Sequence, residues 1–292
     1  MANVNDGGVR PGRSPQSCGL PCRRWGGGAQ PGLAGPVGAS MLAARSGGSG
    51  GGGGPVGSAS PAPSPAPAPS ETPVPVQPAS VDACFNPSLF SKEGTVVSAR
   101  YRSTVGGVTG EVRHTETVGT VTRFNDYLLS RITVQETMDM PGSPSQSFDG
   151  VQYIELRDRA VMLLAMRAQL RGGTTTAQII ELDPPRPDLD FSLSVGQSRE
   201  GATKAEITFE PASSAQRMDL QTRLTFAGFE TVTVPAGTFA NACRFSLESS
   251  GSSVRTVVRW IAAGSGVMIK ATSAGSTQEL LSATIGGSPV TP

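Results

Sequence analysis

The chain is 292 residues long, and its 24 basic and 23 acidic side chains leave a formal charge of +1, too balanced for the clustered basic field that nucleic-acid binding needs. Aromatic residues make up 5% of it, and no apolar run approaches the roughly 18 to 20 residues of a spanning helix, so neither a stacking surface for single strands nor a transmembrane helix is expected. A single histidine excludes a multi-histidine metal centre.

The first 80 residues hold 18 of the 37 glycines and 14 of the 24 prolines, with Trp25 as their one aromatic residue. Such a segment cannot bury enough apolar surface to offset its ordering entropy, so residues 1–80 are predicted to be a disordered, Gly/Pro/Ser-rich tail and linker. Gly50–Gly54 predicts flexible coil and Pro61–Ser70 a stiffer polyproline spacer. No apolar stretch near Met1 has the length of a secretory signal. Residues 39–46 nevertheless resemble a degenerate bacterial lipoprotein signal, with Arg45 where the lipid-bearing cysteine would stand. Either the tail comes from a misplaced start or altered frame, or the protein is unexported; a spacer before a lone β domain favours the first. Cys18 and Cys22 lack a second pair to complete a metal site, and the GxSxG spacing at Gly47–Gly51 has no strand before it or helix after it.

Residues 81–292 read as a single all-β domain. Five arginines against Asp6 and Glu71 put +3 on the tail, which leaves −2 here. Windows of two-residue alternation run over Thr95–Ser103, Glu111–Phe124 and Tyr127–Met138, with turn signals at Gly106-Gly107, Asn125-Asp126, Pro141-Gly142, Asp149-Gly150 and Gly172-Gly173. Val151–Leu170 suits a helix as well as strands by composition and is read as a pair of strands. Alternation resumes at Ala177–Leu182, Phe191–Val195, Ala205–Glu210 and Arg217–Phe226, and Pro235-Ala236-Gly237 ends a strand in a tight turn. Two more strands flank Ala262–Gly266, and Glu279–Ile285 closes the domain. Short links predict an antiparallel meander forming a curved sheet or open barrel. Its concave face is predicted to carry Leu220, Leu224, Phe226, Phe245 and Trp260.

Candidate chemistry is sparse. His114 sits mid-strand and reads as an ordinary strand position. No lysine follows a glycine, so no phosphate loop is expected, and Asp183, Asp188 and Asp190 in DPPRPDLD read as a rigid solvated loop. No catalytic, cofactor-binding or metal-binding residue is assigned, and no cofactor is expected. Cys84 and Cys243 are the domain's only cysteines; an oxidising compartment would let them pair, and the alternative is two buried thiols.

The stretch Glu230–Phe239 (ETVTVPAGTF), then Trp260–Gly266 (WIAAGSG), Val267–Lys270 and Glu279-Leu280 resemble a group of uncharacterised exported or lipoprotein-type β-rich proteins of Gram-negative bacteria. Pro235, Ala236, Gly237, Trp260, Gly264 and Gly266 mark its turns, with Ala263 and Ser265 as departures. The resemblance covers about 55 residues well and implies a periplasmic or outer-membrane-associated location, with no enzymatic activity to carry over. The expected function is a non-enzymatic envelope module that binds a lipid-like ligand or a partner protein. The alternative is an envelope hydrolase using cross-strand carboxylates such as Glu155, Asp158, Glu206 or Glu230.

Overall fold

A computed structural model describes residues 81–124, 127–171, 177–210, 215–251 and 254–292. The predicted spacer and the lipoprotein-like stretch at residues 39–46 lie outside the described residues. A 3-10 turn, Val81–Cys84, and a one-turn helix α1, Ser88–Ser91, come first. Then follow β1 Val96–Val105, β2 Val108–Phe124, β3 Tyr127–Asp139, β4 Gln146–Arg157, β5 Ala160–Leu170, β6 Ala177–Asp190, β7 Ser198–Glu210, β8 Ala215–Val234, β9 Gly237–Ser250, β10 Val254–Ile261, β11 Met268–Ser273, β12 Ser276–Ile285 and β13 Ser288–Pro289.

Each strand pairs antiparallel with the next, and β12 returns to β1, from Val97 opposite Ile285 to Val105 opposite Ser276. The meander therefore closes into a twelve-stranded barrel, a step beyond the curved or open sheet expected, and closure removes both long sheet edges. No helix of the described residues is long and apolar enough to cross a membrane. Val151–Leu170 does divide between two strands, and the chain reverses between them on Asp158 and Arg159, which take positive φ of 47° and 67° without a glycine. The Gly106-Gly107 turn, with φ of 57° and 86°, joins β1 to β2 through two residues in the geometry that suits twisted hairpins.

Three expectations are corrected. Asp149-Gly150 lies inside β4, where an added Cβ on Gly150 would stand 3.2 Å from the Arg167 carbonyl; that glycine serves close strand approach. Arg217–Phe226 and the following ETVTV strand are one element, β8, kept continuous by bulges at Phe226/Gly228 and Glu230/Val232. Phe191–Val195 is a turn segment and not a strand: the Asp190 carboxylate accepts the Ser192 N–H at 2.9 Å and Gln197 Oε1 accepts that of Ser194 at 2.9 Å, so side chains replace the ladder.

Inward side chains fill the barrel. Phe191 packs on Phe245 with ring centroids 5.4 Å apart, Phe245 on Phe226 at 5.1 Å, and Phe85 of the N-terminal cap on Phe191 at 5.1 Å. Burying each ring fully contributes about 1.5–3 kcal/mol.

Candidate functional site: a charge cluster beneath the N-terminal cap

Among the apolar inward positions lies a group of buried charges. On β2 the inward parity runs Val112, His114, Glu116 and Val118, and the register sets His114 directly across from Glu136 of β3. His114 Nε2 lies 3.0 Å from Glu116 Oε1 and Nδ1 lies 3.2 Å from Glu136 Oε2, with the histidine 3% exposed. Burial alone would push the imidazolium pKa down; hydrogen bonds and charge from the two carboxylates outweigh it and raise it to about 9. Beside it, buried Tyr101 of β1 donates its hydroxyl to the Met268 carbonyl at 3.1 Å, and burial, reinforced by both glutamates, raises its pKa.

A second group crosses the interior. Arg259 of β10 donates to Asp188 of β6 through two hydrogen bonds, 2.8 and 3.2 Å long, and Arg186 stands 3.6 Å from the same carboxylate. Burial would raise the Asp188 pKa, but Arg259 and Arg186 together hold it below the usual carboxylate range. Asp190 is fully buried and takes Arg199 at 2.7 Å. The DPPRPDLD segment is thus the second half of β6, with Pro185–Asp190 buried, and not the solvated loop expected. Its prolines fit because β6 pairs with β7 only as far as Asp183, so the segment beyond gives up no ladder bonds on that side.

A cavity of about 50 Å³ joins the two groups, lined by Tyr101, His114, Glu116 and Arg259, with Leu89 and Phe90 of the cap as its cover. That volume suits a few water molecules bridging polar walls. Flanked by two carboxylates, the imidazole is favoured in its protonated form. His114 is therefore far from the ordinary strand position expected. Among the described residues, no three His, Cys, Asp or Glu side chains are placed to hold a metal ion. Sequence reasoning missed Glu116, Glu136 and Arg259 and set Asp188 in a solvated loop. The available signal was parity: each charge falls in line with the apolar residues of its own strand.

The cap that covers this site is fastened at two places. Cys84 and Cys243, 159 residues apart, form a disulfide between the cap and β9, and both are fully buried. The WIAAGSG turn holds the cap from the other side, with Gly264 N–H donating to the Ala83 carbonyl and Asn86 Nδ2 to that of Ser265 at 3.0 Å. Gly266, at φ 75°, has no room for a side chain, since a Cβ would come 2.8 Å from that of Asn86. Pro235 and Ala236 form the β8–β9 turn, and a Cβ on Gly237 would meet Pro292 at 2.5 Å.

Of the five residues assigned to the concave face, Leu220, Leu224, Phe226 and Phe245 point inward and are buried. Trp260 does not. Arg259 is the residue opposite inward Phe245, so Trp260, next in the strand, faces out opposite Arg244 and Lys270. There it donates its indole N–H to Glu230, and Arg244 and Lys270 lie 5.6 and 5.7 Å from its ring centroid. Lys270 continues to Glu279 at 3.3 Å, and Glu279 takes Arg102 across the β1–β12 closure at 2.5 Å. Arg244, Trp260, Lys270 and Glu279, scattered in sequence, are consecutive rungs of one outer ladder, and Glu230 reaches it from β8.

Each of the four carboxylates of the hydrolase reading has its own place in the fold. Glu155 pairs with Arg157, Glu206 with Arg217 and Glu230 with Trp260, while Asp158 turns the chain between β4 and β5.

No protein-family profile matches the sequence, and neither does any curated protein. Two solved structures have a similar strand arrangement. One is a Bacteroides fragilis protein with a YmcC-like fold, at 13% identity over 66% of this chain and 97% of that one, with a TM-score of 0.39. The other is a β-barrel-like protein of the DUF1849 domain of unknown function from Brucella abortus, at 9% identity over 66% and 98%, with a TM-score of 0.35. The barrel itself rests on this chain's own pairing.

Proposed function

We propose that this protein is a non-enzymatic module of an oxidising compartment of the cell envelope, and that its barrel works through its outer surface. The observation that carries this reading is the packed interior closed by a disulfide-bonded cap. A disulfide persists where thiols are oxidised, which supports an exported location. The inward positions that would line a lipid carrier are packed against one another, with Phe191, Phe226 and Phe245 each 1% exposed, so binding falls to the outer face. Rigidity suits that role, because a preformed surface loses less entropy on association.

Native mass spectrometry of the full chain, expressed with export and purified without detergent, tests the proposal. The expected result is a mass lower by two hydrogens for the Cys84–Cys243 bond and no apolar adduct. A retained lipid would overturn the outer-surface reading, and a fully reduced chain would overturn the compartment.

A further inference from the structure

The outer face carries a groove of about 640 Å³ over β5–β8, within the size range of small-molecule sites. Its floor is Leu164 and Ala165, Tyr127 from β3 contributes an aromatic wall, and the exposed side chains of Glu181, Asp183, Lys204, Arg217 and Asp219 edge it. The register orders these polar groups. Asp183 is opposite Lys204, and Lys204 opposite Asp219; one row over, Glu181 is opposite Glu206, and Glu206 opposite Arg217. Rows lie about 7 Å apart along the strands and neighbours about 5 Å apart across them.

Elsewhere on the outer face, four strand carboxylates are matched with arginines: Arg100 with Glu111, Arg113 with Asp139, Arg171 with Asp149, Arg223 with Glu200. In the groove that habit breaks. Arg217 holds Glu206 at 2.7 Å, but among the described residues Glu181, Asp183, Lys204 and Asp219 make no hydrogen bond or ion pair, although Lys204 stands in register between two aspartates. The groove thus offers free acceptors and a free donor side by side, next to an aromatic ring and an apolar floor.

We propose that this groove binds an uncharged oligosaccharide. Sugar hydroxyls donate and accept at once, so they bridge an ammonium and a carboxylate a few ångströms apart, and the C–H face of a pyranose packs on a tyrosine ring. Four carboxylates against two cations repel anionic ligands such as free phosphate or acidic glycans. The inference rests on the reading that the outer face does the binding, and it names the site and the ligand class.

The test is saturation-transfer NMR on the full-length, disulfide-bonded protein with millimolar chitotriose and maltotriose as probes, beside a pentalysine peptide. Saturation transfer to the ring protons of at least one saccharide is expected. Affinity should fall about tenfold in Tyr127→Ala and in Asp219→Asn, the scale of one lost stacking or hydrogen-bonding partner. These positions are surface-exposed or half-exposed, and unchanged near-ultraviolet circular dichroism shows that the variants fold. Silence from both saccharides, or binding that both variants leave unchanged, overturns the proposal. Salt-sensitive binding of pentalysine alone also overturns it and makes the groove a site for basic peptides. Either failure leaves the mass-spectrometric test of the outer-surface reading unaffected.

Discussion

Replacing His114 by glutamine removes the one cation that both Glu116 and Glu136 address. The imidazolium pKa rises from an ordinary 6.5 to about 9 in the folded protein. A folded value above the unfolded one means that the stabilisation is complete below pH 6.5 and is lost as pH climbs through 9. At 1.36 kcal/mol per pH decade the difference amounts to about 3 kcal/mol. Urea unfolding of the wild type should therefore show a loss of about 3 kcal/mol between pH 6 and 9.5, with the range stopped there because unfolded tyrosines titrate near pH 10. His114→Gln should start lower by about 3–5 kcal/mol at pH 6, since it leaves buried Glu136 and partly buried Glu116 without their cation, and should lack the histidine-linked decline. Parallel curves for the two proteins, or a wild type that gains stability over this range, would refute the reasoning.

Replacing Cys84 and Cys243 together by serine should cost up to about 4–5 kcal/mol, because the bond closes a loop of 159 residues; urea midpoints under oxidising and reducing conditions measure it. Arg259→Met should destabilise by about 3–5 kcal/mol by stranding Asp188, and adding Asp188→Leu should recover most of that in the same assay. Trp260→Phe keeps a ring between Arg244 and Lys270 but loses the donor to Glu230, for about 1 kcal/mol, whereas Trp260→Ala should cost about 3–5; thermal melts separate the two.

Strand identity was legible because it depends on alternation, which each strand declares locally. Closure was not, because pairing of β1 with β12 joins residues some 180 positions apart and is fixed by accumulated twist and by bulges that no periodicity marks. The facing of Trp260 was likewise not legible, because it follows from the register of β10 against β9, which sets Arg259 opposite inward Phe245 and Trp260 opposite Arg244. The absence of a metal-like or catalytic motif likewise left the His114 cluster invisible, since Glu136 of β3 meets His114 and Glu116 of β2 only through the register of that hairpin.

A cluster built from three cations, His114, Arg186 and Arg259, and three carboxylates, Glu116, Glu136 and Asp188, is an odd way to fill a barrel, because apolar residues of similar volume are usually as stabilising or more so. What charges add is a penalty for misalignment. Sliding β2 by one residue on β3 would carry His114 and Glu116 together to the face opposite Glu136 and leave that carboxylate isolated in the core, a penalty added to that of turning the apolar residues of β2 outward. The expected consequence is separable from stability. A triple variant, His114→Leu with Glu116→Met and Glu136→Leu, should unfold at a urea midpoint near that of the wild type or above it. Its amide NMR spectrum should nevertheless show more than one set of signals for β2 and β3 as alternative registers become populated. A single sharp set of resonances in that variant would mean that turns and apolar packing already fix the register, and that the buried charges serve some purpose other than alignment.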